Sequence, residues 1–123
     1  CDYAQTDLPS GLQGRSLRPL VEESTEAEET WRQQLVVVTD RHDYGVVGRA
    51  VYDDHMKYVI YEWGRYREQL FDLQADPGEM VNLASSSRFT PDLVRMRSFL
   101  RDWCAETGDY FKHVPNGEEP APY

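Results

Sequence analysis

Residues 51–73, VYDDHMKYVIYEWGRYREQLFDL, together with the Val46-Val47-Gly48-Arg49-Ala50 run that leads into them, decide how this chain folds. Three β-rich runs lie close together: the first at 46–54, from Val46 to Asp54, then MKYVIYE at 56–62 and EQLFDL at 68–73. Parallel neighbours need a crossover of about a dozen residues or more, so the tight Asp53-Asp54-His55 connection and the WGRY turn dictate antiparallel hairpins. In the second run Tyr58 and Ile60 share one face and Val59 and Tyr61 the other, which predicts at least partial cover on both faces. In the third, Phe71 and Leu73 share a face and Leu70 lies with Asp72 on the opposite one. Gly48 marks a bulge or a close backbone approach.

Working outward, QLVVVT at 34–39 reads as a buried strand that ends in the polar loop DRHDYG. Downstream, Thr90-Pro91-Asp92 is a helix start: a hydroxyl at the N-cap, proline at the first helical position, and a carboxylate facing the positive end of the dipole. Leu93, Met96, Leu100, Trp103 and Cys104 then follow at the spacing of one helical face, and Gly108 stops the run. The predicted class is α+β: a small antiparallel sheet of about four strands with one C-terminal amphipathic helix packed on it. Residues 34–110 form this unit. Residues 1–33 read as mostly irregular, with Pro19 blocking a helix in SLRPLVEE and EESTEAEE at 22–29 forming either a solvated helix or an acidic loop. Residues 111–123 read as an extended tail with little to bury.

The bulk numbers restrict function. At 123 residues, 40% of them hydrophobic, the chain has the size and core of one ordinary domain. With 22 acidic residues against 13 basic ones the formal charge is -9, which disfavours nucleic acid and anionic membrane surfaces as partners. No apolar run reaches bilayer length, and CDYAQTDLPSG shows neither a basic nor an apolar leader region. The start at Cys1 rather than Met reads as a processed or excised piece. Cys1 and Cys104 do not suggest a disulfide framework, and Cys104 sits in the apolar helical pattern as a small core residue.

Several polar groupings invite a chemical reading. In FDLQADPGEMVNLA at 71–84, Asp72, Asp76 and Glu79 offer three carboxylates, too few and wrongly spaced for a calcium loop. Turn chemistry accounts for them: Pro77 fixes φ at the second turn position, Gly78 supplies a positive φ at the third, and Asp76 and Asn82 accept local backbone hydrogen bonds. Asp40, His42 and Asp43 mix imidazole with carboxylates after a strand, the beginnings of a metal-assisted hydrolase, but no supporting ligand set is visible and a solvated loop explains them better. His42, His55 and His113 show no metal-ligand spacing, so neither a metal site nor a catalytic residue is assigned. Arg88, Arg95, Arg97 and Arg101 read as the wet face of the helix. Tyr58, Tyr61, Trp63 and Tyr66 could stack on a sugar, but as sheet core and hairpin packing they need no ligand.

Three segments together resemble the C-terminal region of bacterial sulfatases of the arylsulfatase type, in the alkaline-phosphatase-like superfamily: QGRSLRPL at 13–20, Gly48-Arg49-Ala50 running into VYDDHMKYVIYEWG up to Gly64, and EQLFDLQADPGEMVNLA at 68–84. Tyr52 and His55-Met56 depart from the family's usual residues. The resemblance implies a small antiparallel sheet crossed by the terminal helix and docked on an N-terminal catalytic domain, with residues before about Arg32 as that domain's tail. It also implies where the chemistry lies. Sulfatases use a formylglycine made from Cys or Ser in a Cys/Ser-x-Pro-x-Arg motif, and a divalent cation, usually calcium. Neither Cys1-Asp2-Tyr3 nor Cys104-Ala105-Glu106 fits that motif, so no cofactor is assigned to this fragment and both groups are expected of the parent protein. The leading expectation is therefore a non-catalytic fragment that supports the catalytic domain and shapes its substrate entrance. Arg41, His42, His55 and Trp63 are its candidate substrate contacts. The alternative is an independent carbohydrate-binding or self-association module, and a homo-oligomer is expected when the piece is isolated.

Overall fold

Four strands follow one another through a single antiparallel sheet: β1 (Gln34–Arg41), β2 (Val46–Asp53), β3 (Met56–Tyr61) and β4 (Glu68–Asp72), in the spatial order β1-β2-β3-β4. The computed structural model describes residues 3–7, 9–12, 14–22, 30–41, 43 and 45–117. They fall into two units, residues 1–32 and 33–123. In the first, a single helical turn, α1 (Arg18–Val21), carries proline in its first turn. Pro19 thus starts a short helix rather than blocking one, because the first turn has no use for its missing N–H. The Arg15 guanidinium donates to the Thr30 carbonyl and lies 4.6 Å from the Trp31 ring. The acidic run at 23–29 lies outside the described residues.

In the second unit, register explains the core. Directly opposed residues share a face, so Val36, Val51, Tyr58 and Leu70 line up across all four strands, and Arg49, Ile60 and Glu68 form the next row. Helix α2 (Thr90–Thr107) covers this face with Leu93, Met96, Arg97, Leu100 and Cys104, which are spaced to form one buried stripe. Burial pushes the Cys104 thiol up, in keeping with a packing role. The helix begins one residue earlier than the cap reading required: Phe89 stands at the N-cap without a side-chain hydrogen bond and Thr90 is already helical. Gly108 ends it at φ 70°, the left-handed conformation that glycine adopts without strain. No helix among the described residues is long and apolar enough to cross a membrane.

Two expectations need correction, and the structure decides between the two readings of Gly48. β1 is not a buried strand. It lies at the sheet edge, and on the face away from α2 its Leu35 and Val37 remain 47% and 43% exposed. Gly48 makes no bulge, since pairing is continuous on both sides; it permits close approach instead, because a side chain there would meet the Tyr61 ring at 2.6 Å. The stretch after the helix is also less empty than its prolines suggest. Phe111 and Val114 are buried in the core, and the Arg101 and Arg97 guanidinium groups hold the carbonyls of Pro115 and Gly117, each at 2.6 Å. Residues 118–123 lie outside the described residues.

Candidate functional site

An antiparallel meander places successive turns at alternating ends. The β1–β2 and β3–β4 turns therefore share one end of the sheet and the β2–β3 turn occupies the other, separated by the eight residues of β2, roughly 23 Å. This separates the candidate substrate contacts. Arg41 closes β1 directly opposite Val46, and Trp63 follows β3 at the same end. His55 lies at the far end, in the β2–β3 turn, where its Nδ1 is 2.9 Å from the Asp54 carboxylate. His42 lies outside the described residues. The structure thus brings Arg41 and Trp63 to one end of the sheet and leaves His55 far from both.

At the Arg41 end an open cleft of about 340 Å³ is lined by Gly45, Val46, Val47, Tyr61 and Trp63. Two glycines shape it. Gly45 adopts φ 64°, and Cζ2 of Trp63 lies 3.2 Å from the point where a side chain would begin, so the indole rests on bare backbone. Gly48 does the same for the Tyr61 ring. Trp63 is nonetheless 65% exposed, a large aromatic surface presented to solvent. Arg41 shares the sheet face of Val46 and keeps a long, exposed contact of 3.7 Å with Asp43.

The carboxylates of the 72–84 stretch have other partners. Asp72 Oδ1 accepts from the amides of Gln74 and Ala75, and Asp76 Oδ2 accepts from that of Val81. The Glu79 amide closes the Asp76-Pro77-Gly78 turn by donating to the Asp76 carbonyl at 3.0 Å. Positive φ falls on Glu79, at 53°, rather than on Gly78, and the Glu79 carboxylate is held by the Lys57 ammonium at 2.6 Å. Asn82 does more than shape a loop. Its Oδ1 accepts from the Leu70 amide, its Nδ2 donates to the Glu68 carbonyl, and the Leu83 amide reaches the Leu70 carbonyl, so this segment satisfies the outer edge of β4. Among the described residues no three His, Cys, Asp or Glu side chains come together to hold a metal ion, so a calcium site does not fit the residues described.

Two arginines belong to the architecture. Arg97, read from sequence as solvated, is fully buried: its Nε and Nη2 donate to the two Glu68 oxygens at 2.7 and 2.6 Å, and the Tyr58 hydroxyl donates to Glu68 at 2.8 Å. Burial, with the Glu68 charge added, pushes the Tyr58 phenol far above its ordinary value, so it remains a donor. Arg49, 1% exposed, forks onto Asp109 at 3.0–3.2 Å, donates to Asp40 at 3.0 Å and lies 5.4 and 5.0 Å from the centres of the Tyr110 and Phe111 rings. Burial disfavours its charge, but the bonds to Asp109, Asp40 and Tyr110 outweigh that and hold it protonated. Asp40, read as part of a possible hydrolytic cluster, is therefore engaged by Arg49 and by the Tyr110 hydroxyl at 2.6 Å. The missed signal was the isolated arginine at a β-face position and at a helical core position, each matched by a distant carboxylate.

Residues 1–105 match the protein family described as N-sulphoglucosamine sulphohydrolase, C-terminal. The chain is 30% identical over 124 residues to a Delta 4,5-hexuronate-2-O-sulfatase of Bacteroides thetaiotaomicron, a match that covers 98% of this chain and 25% of the relative. It is 29% identical over 106 residues to an arylsulfatase of Clostridium perfringens, covering 80% of this chain and 19% of that protein. The solved structure of a 2-O GAG sulfatase superposes with a TM-score of 0.76 at 26% identity, over 98% of this chain and 29% of the other. The chain thus spans a quarter or less of the length of these curated relatives.

Proposed function

The chain belongs to the N-sulphoglucosamine sulphohydrolase C-terminal family, a sulfatase C-terminal region, and from that premise we propose that it serves a sulfuric ester hydrolase as a non-catalytic buttress. One observation carries this reading: nearly the whole chain aligns with sulfatases, yet it accounts for a quarter or less of their length. Sulfate ester cleavage requires a positioned nucleophile, a cation for the anionic oxygens and a proton donor for the leaving group. The formylglycine and calcium expected of a sulfatase would come from polypeptide outside this chain. The β1–β2 and β3–β4 turns, with Arg41 and Trp63, border the substrate entrance in this reading, and His55 takes no part. The near-complete alignment with sulfatases disfavours an independent module.

Hydrolysis of an aryl sulfate in the presence of calcium tests the reading. This chain alone should give no turnover, and a longer protein that joins it to the catalytic part should give turnover. Sulfate release by the 123-residue chain alone would overturn it. The exposed Leu35 and Val37 on an edge strand further lead us to expect self-association of the isolated chain, seen by light scattering as a mass above that of one copy.

A further inference from the structure

We propose that residues 109–117 form a clasp, an extended segment gripped by arginine side chains that locks together the strand ends at the Arg41–Trp63 end of the sheet and opens as one unit. The segment lies beyond the residues 1–105 that match the sulfatase family, so that likeness assigns it no role. It belongs to no helix or strand, and its carbonyls need partners from elsewhere. Guanidinium groups supply them at three alternate positions: Arg67 donates to His113 at 3.3 Å, and Arg101 and Arg97 donate to Pro115 and Gly117, each at 2.6 Å. Arg67 comes from the β3–β4 turn and the other two from successive turns of α2, so one backbone bridges sheet and helix. The segment's own side chains reach three strands. Asp109 takes the fork of Arg49 on β2 at 3.0–3.2 Å, the Tyr110 hydroxyl donates to Asp40 on β1 at 2.6 Å, and His113 Nε2 lies 3.5 Å from the Glu62 carboxylate just after β3. Asp40 and Glu62 directly precede Arg41 and Trp63 in the chain, so both turns at this end are tied to the same segment. Phe111 and Val114 anchor it in the core. Charge-assisted bonds and two apolar anchors keep such a segment closed at rest, while the lack of a strand ladder lets it open without unfolding the sheet. None of these contacts depends on where substrate enters.

Native-state amide exchange of this chain in rising urea, followed residue by residue by NMR, tests the clasp. Two amides report on the clasped end: Phe111, which donates to Asp109 Oδ1, and Glu62, which donates to the Val47 carbonyl. The amide of the buried Leu100 in α2 reports on global unfolding. Local opening exposes little surface, so Phe111 and Glu62 should exchange faster than Leu100, with a common opening constant that urea barely changes. Arg101→Gln, which removes the grip on Pro115, should raise that constant about tenfold, the scale of one lost charge-assisted hydrogen bond. Tyr110→Phe keeps the ring, removes the tie to Asp40 and should act in the same direction. Opening of Phe111 and Glu62 only together with Leu100, at the same urea dependence, would overturn the clasp, because the segment would then be an inseparable part of the core. A variant that speeds Phe111 and leaves Glu62 at its wild-type rate would overturn it too, because the segment would not hold the strand ends. Should Arg101→Gln fail to fold, the wild-type urea series and Tyr110→Phe decide by the same two criteria.

Discussion

The helix-covered face of the sheet and its open Arg41–Trp63 end use the same residue types for opposite purposes. Beneath α2, Arg49 and Arg97 are desolvated, so each is held by carboxylates, and Tyr58 is a buried donor with a fixed acceptor. At the open end the ion pair of Arg41 with Asp43 is solvent-exposed and Trp63 faces water. The difference teaches that an arginine or an aromatic residue signals function only once its partners are known: a buried charge must be satisfied by protein groups to be tolerated, whereas an exposed one is solvated by water.

The sharpest way to break this comparison is charge deletion on both sides. Glu68→Ala leaves Arg97 buried without its carboxylate and should cost about 3–5 kcal/mol, read from the urea midpoint at unchanged m. Arg41→Ala at the open end should stay within about 0.5 kcal/mol. Equal losses would erase the distinction. Asn82→Ala should have an intermediate effect, about 1–3 kcal/mol, because it strips the Leu70 amide and Glu68 carbonyl of their partner at the edge of β4.

A smaller effect sharpens the comparison through pH. The hydrogen bond to Asp54 raises the exposed His55 imidazole above 6.5 in the folded chain. A raised folded-state value means that the contact's stabilisation is fully present below 6.5 and is lost as pH rises through the higher folded value. His55→Gln should therefore lower Tm slightly in acid and not at all in mild alkali, and a difference that grows with pH would contradict the assignment. Trp63→Ala should leave Tm essentially unchanged.

Much of the sheet was legible because local rules act on adjacent residues. Short polar links dictated hairpins, and β2, β3 and β4 appear within a residue or two of the runs at 46–54, 56–62 and 68–73. Asn82 and Asp76 were recognisable as turn residues from their chemistry. What sequence hid was long-range pairing. Nothing near Arg97 in the chain announces Glu68, 29 residues away, and nothing near Arg49 announces Asp109, 60 residues away. Strand identity likewise did not say which strand is the edge, so the β-branched run of β1 read as buried. At the candidate site Arg41 and Trp63 stand out in sequence by their place beside polar turns, but their shared end, and the exclusion of His55 from it, follow only from the order and register of the strands.

The most direct test of the central claim, that the closed face holds the fold while the open end meets the substrate, is the steady-state kinetics of Trp63→Ala in a sulfatase carrying this region. The account predicts a raised KM for a sulfated sugar, with kcat and Tm unchanged. A variant with wild-type KM, or one whose loss of activity tracks a loss of Tm, would contradict it.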